Sequence, residues 1–150
     1  MRKRERTIRS WTYNYPLMRG GKEVKLHLEV AEKSMKYALE ALEKGDVYDV
    51  CMNAYKAAEE VVKALAEDLE LPECREALKE GRWPTYLLVK AANSLAVRLG
   101  RWVADGFSSA YLLYVWGFHE GKLTVADVTS YLERVKEMVE EAKKSLMRSS

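Results

Sequence analysis

Residues 45–69 read GDVYDVCMNAYKAAEEVVKALAEDL, and this stretch decides the fold. Apolar side chains recur every three to four positions: Val47, Val50/Cys51, Ala54, Ala57/Ala58, Val61/Val62, Leu65 and Leu69. That is the period of an amphipathic helix. Gly45 stops whatever helix precedes it, and Asp46 is placed to cap the one that follows. Upstream, the same period runs from Lys22 through Val24, Leu28, Ala31, Met35, Ala38, Leu39 and Leu42. The opposite face carries Glu29/Lys33, Glu32/Lys36 and Glu40/Lys44, each spaced i,i+4 with the acid first, the favourable order. A link as short as Gly45-Asp46 predicts an antiparallel helical hairpin.

Working outward, Pro72 reads as the end of the second helix, and residues 73–84 as a connection holding one helical turn around 73–80, bounded by Gly81 and Pro84. Helical spacing resumes from Thr85 to Leu99 through Leu88, Ala91/Ala92 and Leu95. Gly100 is a break or a kink. From Arg101 to His119 one stripe is Val103, Phe107, Ala110/Tyr111, Tyr114 and Phe118. A second stripe is small: Gly106, Ser109/Ala110 and Gly117. A glycine inside a helix costs about 1 kcal/mol against alanine, so these glycines imply a closely approaching neighbour. Thr124 with Asp127 resembles a capping box that opens a last helix through Val128, Tyr131/Leu132, Val135, Met138/Val139, Ala142 and Leu146.

These elements predict an all-α, up-and-down bundle of about five helices over residues 22–150. Its expected core includes Met35, Leu39, Ala54, Ala58, Val62, Leu95, Phe107, Ala110, Tyr114 and Val135. Residues 1–21 form a separate basic and aromatic arm, with Trp11, Tyr13 and Tyr15 at the period of an extended segment. The arm is basic because Arg2, Lys3, Arg4, Arg6 and Arg9 face only Glu5 within residues 1–9, a net +4 in a chain whose total is +2.

At 150 residues the chain is expected to be one domain. A 48% hydrophobic and 32% charged composition excludes disorder as the main state. No apolar run approaches the length that spans a bilayer, and MRKRERTIRS is followed by no signal-peptide core, which predicts a soluble, cytoplasmic protein with no membrane partner. Two cysteines do not make a secreted framework; Cys51 reads as a small buried hydrophobe, and a Cys51–Cys74 bridge needs the fold to bring them together.

Chemistry is thinly signalled. Two histidines and two cysteines, without metal-ligand spacing, argue against a metal. Phosphate-binding glycine loops and nucleophile elbows are absent, and no cofactor is expected. His119, in WGFHEG at residues 116–121, is the most informative single residue. It reads either as a helix C-terminal histidine bonding the last carbonyls or as a general acid or base, with Glu120 and an arginine such as Arg101 or Arg98 beside it. In the arm, Arg2, Lys3, Arg4, Arg6 and Arg9 can neutralise phosphates while Trp11, Tyr13 and Tyr15 stack on bases. The other reading of the same aromatics is that they cover the bundle or a partner subunit.

Residues 45–69, with Ala54-Tyr55-Lys56-Ala57, Glu59-Glu60 and Lys63-Ala64-Leu65-Ala66, and residues 108–128, SSAYLLYVWGFHEGKLTVADV, resemble the archaeal PaREP family of small helical proteins. That family is in turn similar to the HEPN superfamily of helical bundles. The resemblance covers most of residues 22–147 and is most specific at Gly117-Phe118-His119-Glu120. It implies a usually dimeric bundle that cleaves RNA, partners a nucleotidyltransferase, works in a toxin–antitoxin pair, or simply binds. The cleaving members carry an Arg separated by four to six residues from a His. The corresponding places hold Leu112, Leu113 and Tyr114 before His119, and Gly20, Gly21 and Lys22 before His27. A phosphoryl transfer needs charge stabilisation as well as proton transfer, so the missing arginine argues against ribonuclease activity. The reading that follows is a homodimeric binding or assembly module with a partner protein. Its rival is an RNA-binding or RNA-cleaving protein working around His119.

Overall fold

A computed structural model describes residues 21–148 of the chain. The elements, in order, are α1 (Gly21–Glu43), α2 (Val47–Asp68), α3 (Pro72–Glu80), α4 (Thr85–Leu99), α5 (Arg101–Leu112), a π-helical segment (Leu113–His119) and α6 (Val125–Arg148). Among the described residues there is no strand, and no helix is long and apolar enough to cross a membrane. The extended reading of residues 8–16, and all of Arg2, Lys3, Arg4, Arg6, Arg9, Trp11, Tyr13 and Tyr15, lie outside the described residues.

The hairpin forms as its turn chemistry dictates. Gly45 takes φ 73°, and the Asp46 carboxylate accepts the Asp49 N–H at 3.1 Å to cap α2. α1 packs along α2, and α2 also packs against α3, α4, α5, α6 and the π-helical segment. It is the central helix: every residue from Ala57 to Ala66 is buried, whatever face it occupies. Of the expected core, Met35, Ala54, Ala58, Val62, Leu95, Phe107, Ala110 and Val135 are buried, while Leu39 and Tyr114 are partly buried against it.

The small stripe has the predicted reason. A Cβ on Gly106 would stand 2.5 Å from Met138 Cβ of α6, and one on Gly117 would overlap the Cys51 thiol of α2. The capping box is also formed: Thr124 N–H donates to Asp127 at 2.9 Å, and Asp127 N–H returns to the Thr124 hydroxyl at 3.3 Å. Glu32 departs from its expected i,i+4 pairing and meets Lys143 of α6 at 3.0 Å.

One expectation is corrected and two open points are decided. Pro72 is a start as well as a stop. It stands at the first turn of α3, where its missing N–H costs nothing, and Gly81 closes that helix with φ 76°. Among the described residues there are therefore six α-helices rather than about five. Gly100, at φ 135°, is a full break between α4 and α5. Both cysteines are free. Cys51 sits in the first turns of α2 and Cys74 lies beyond its far end, roughly 25 Å away at 1.5 Å per residue. A disulfide needs Cα atoms within about 7 Å.

Candidate functional site

Two clusters of polar and aromatic side chains stand out along the hairpin. The first is buried. Because α2 is wrapped by the other helices, its Glu59, Glu60 and Lys63 have no route to water; Lys63 is only 1% exposed. They pair instead. Lys56 Nζ and Lys63 Nζ donate to Glu60 Oε2 at 3.3 and 3.2 Å, and Lys63 Nζ meets Glu59 Oε2 at 3.3 Å. From α1, His27 Nδ1 stands 2.7 Å from Glu60 Oε1. A carboxylate only accepts, so this ring nitrogen carries the proton. His27 Nε2 faces Glu23 at 3.7 Å, an ion-pair distance too long for a hydrogen bond.

The charges decide the protonation. Glu23, Glu59 and Glu60 balance Lys56, Lys63 and a protonated His27; with neutral histidine one negative charge would be left over in the interior. Burial alone would lower the His27 pKa, but the Glu23 and Glu60 carboxylates outweigh it and raise it above the usual 6.5. Burial would raise Glu60, yet Lys63, His27 and Lys56 together hold it well below the ordinary carboxylate range. Lys63, which burial would deprotonate, is held above its usual value by Glu59 and Glu60. Glu59 Oε1 is buried with no hydrogen-bond partner. Chemically this is a clasp between α1 and α2, with its imidazole held away from solvent.

The second cluster is aromatic and partly exposed. The π-helical segment is held by i→i−5 bonds, such as Glu120 N–H to Val115 O at 2.9 Å. In an α-helix residues five apart point about 140° from each other. In the π turn Tyr114 and His119 meet edge to face, with ring centroids 4.6 Å apart. Tyr55 stacks on Tyr114 at 4.2 Å, Tyr114 on Phe118 at 5.3 Å, and Phe118 on Tyr48 at 4.5 Å. Tyr111 joins Tyr55 at 6.2 Å. Tyr55 is buried, and burial with the nearby Glu59 charge pushes its hydroxyl well above the usual tyrosine range. Tyr111 and Tyr48, by contrast, are 42% and 39% exposed. Beneath them, burial pushes the Cys51 thiol up to about 11, leaving it inert at neutral pH.

The residues singled out from sequence separate. His119 and Glu120 are both exposed at the end of the π-helical segment. Arg101 opens α5 at the other end of the same continuous rod, roughly 25 Å away. Arg98, in the last turn of α4 beside the Gly100 break, shares Arg101's end. The chain does not bring either arginine to its own His119. The His27–Glu60–Lys63 clasp was not found from sequence. Its signal is a helix apolar on every side over residues 54–66, interrupted only by Lys56, Glu59, Glu60 and Lys63. No group of three or more His, Cys, Asp and Glu among the described residues is arranged to hold a metal.

The model of the archaeal PaREP1/PaREP8 family matches residues 26–139, which take in both clusters except Glu23. The chain belongs to the PaREP1/PaREP8 family. This PaREP1/PaREP8 chain is also similar to the crystal structure of a protein from Sulfolobus solfataricus, at 37% identity and a TM-score of 0.72, over 78% of this chain and 96% of that one. No curated protein sequence matches it significantly.

Proposed function

We propose that this PaREP1/PaREP8 chain is a non-catalytic binding and assembly module of HEPN-like build, a homodimer or one half of a two-component system, whose contact face is the aromatic ladder of the π-helical segment. The observation that carries this reading is the continuity of the ladder. Tyr48, Phe118, Tyr114 and Tyr55 stack in an unbroken series; Tyr48 at one end is exposed, and the buried Tyr55 at the other leans on the exposed Tyr111. Aromatic rings held rigid by stacking lose little entropy on binding, and they are enriched at interfaces. The buried state of His27 and the distance of Arg98 and Arg101 from His119 support a role without hydrolysis. Light scattering on wild type and on a Tyr111→Ala/His119→Ala double variant tests it. The wild type is expected at twice the 17.3 kDa chain mass and the variant at once that mass, with an unchanged helical spectrum. A 17 kDa wild-type particle at micromolar concentration removes the homodimer.

One observation favours a second reading, RNA binding. His119 is exposed and set edge-on against two rings, Tyr114 and Phe118, a surface on which a base can stack. The cleaving form of this reading needs an arginine from a second copy. Metal-free scission of a mixed RNA pool that disappears in His119→Ala would establish it and overturn the non-catalytic reading.

A further inference from the structure

The continuous rod formed by α5 and the π-helical segment is covered on three sides. Gly106 lies against Met138 of α6, Gly117 lies against Cys51 of α2, and α4 packs along α5. The remaining side carries Arg101, Asp105, Ser108, Leu112 and Val115, the first three exposed and the last two half-buried. Their spacing of four, three, four and three is that of a seam between paired helices. Tyr111 and Trp116 flank the seam, 42% and 50% exposed. From Gly106 to Phe118 no residue is charged, in a chain that is 32% charged. The exposed face of α1, by contrast, carries Lys25, Glu29, Lys33, Lys36 and Glu40. The Ser108 hydroxyl is turned back to the Ala104 carbonyl of its own helix at 2.8 Å, so the seam presents no unsatisfied donor there. An exposed helix face without charge and rimmed by aromatic rings marks a contact surface.

We propose that two copies of this chain pair along this seam, antiparallel, across a two-fold axis at Leu112. The pairing rests on the reading of the chain as a homodimer that meets its partner through the π-helical segment, and it fixes the geometry of that contact. Charge returns only at the two ends of the uncharged run, as Arg101 and Asp105 before it and His119 and Glu120 after it. Among the described residues Arg101, Asp105 and Glu120 enter no ion pair. Asp105 and His119 both stand seven residues from Leu112. A two-fold axis there sets Asp105 of one copy against His119 of the other, whose ring N–H can donate to the carboxylate. Arg101, about one turn further out on its long side chain, reaches Glu120 of the other copy. Ser108 and Trp116 each stand four residues from the axis, so a small side chain opposes a large one. A parallel pairing would set Arg101 on Arg101 and Glu120 on Glu120. The seam is therefore self-complementary, which selects a second copy as its occupant. The arginine brought to the His119 end is held by a carboxylate, in keeping with a contact that does no hydrolysis.

Charge reversal and cross-linking on the full-length chain test this. Arg101→Glu or Glu120→Arg is expected to raise the dimer dissociation constant about ten-fold or more by sedimentation, because each change is made twice in a two-fold pair. The double variant should return to within about three-fold of wild type. Leu112→Cys, on the axis, should form a disulfide between copies on mild oxidation, above the background of the wild type with its free Cys51 and Cys74. Val97→Cys, 88% exposed on α4, should not. A dimeric wild type whose Leu112→Cys fails to cross-link, or whose single reversals are not rescued by the double, overturns this geometry and leaves the homodimer standing. A monomeric wild type overturns both.

Discussion

The two histidines of this chain occupy opposite kinds of environment. His27 is sealed between α1 and α2, its ring nitrogens facing Glu60 and Glu23. His119 stands exposed at the end of a π turn, touching rings rather than charges. One imidazole is committed to holding the hairpin; the other is offered to whatever meets the surface. The difference shows that a histidine's role follows from what surrounds it in three dimensions. His27, with nothing suggestive next to it in sequence, is the one held between carboxylates.

The largest expected effect comes from breaking the buried side of this comparison. Lys63→Met leaves Glu59 and Glu60 facing each other in the interior, and urea unfolding should show a loss of about 3–5 kcal/mol. Close packing beneath the exposed side comes next. Gly117→Ala drives a methyl into the Cys51 thiol, and a loss of about 1–3 kcal/mol is expected. If instead the π turn relaxes to accept it, the aromatic near-ultraviolet signal should change while stability holds.

A pH series sharpens the contrast further. The folded pKa of His27 is raised, so protonation favours the folded state. Its stabilisation is complete below pH 6.5 and is lost as the pH rises through the higher folded value. The unfolding free energy should therefore decline from pH 6.5 through and beyond neutrality, and His27→Gln should flatten that decline. Glu60 acts in the other direction: its contribution is present above pH 4.5 and is lost as the pH falls below it. The smallest stability effect belongs to His119→Ala, within about 0.5 kcal/mol of wild type by urea unfolding, because the site is exposed.

The fold was legible where local chemistry and global packing agree. Gly45 and Asp46 dictate a turn and a cap whatever surrounds them, Thr124 with Asp127 does the same for α6, and Gly106 and Gly117 announce close neighbours. Pro72 was ambiguous because proline ends one helix and begins another by the same loss of an N–H. The π turn left no mark in the period, since seven residues are too few to shift an apolar stripe. The clasp was hidden for a different reason. Lys56, Glu60 and Lys63, at i, i+4 and i+7, have the spacing of a solvated salt-bridge stripe. Only the wrapping of α2 by its neighbours converts that stripe into a buried network, and the wrapping is a property of the whole fold.

Side-by-side urea melts of His27→Gln and His119→Ala at pH 6 bear most directly on the division between the two histidines. The expected result is a loss of about 2 kcal/mol for His27→Gln, the worth of a hydrogen bond to a charged group, with His119→Ala indistinguishable from wild type. Equal losses, or a larger loss at His119, would contradict it.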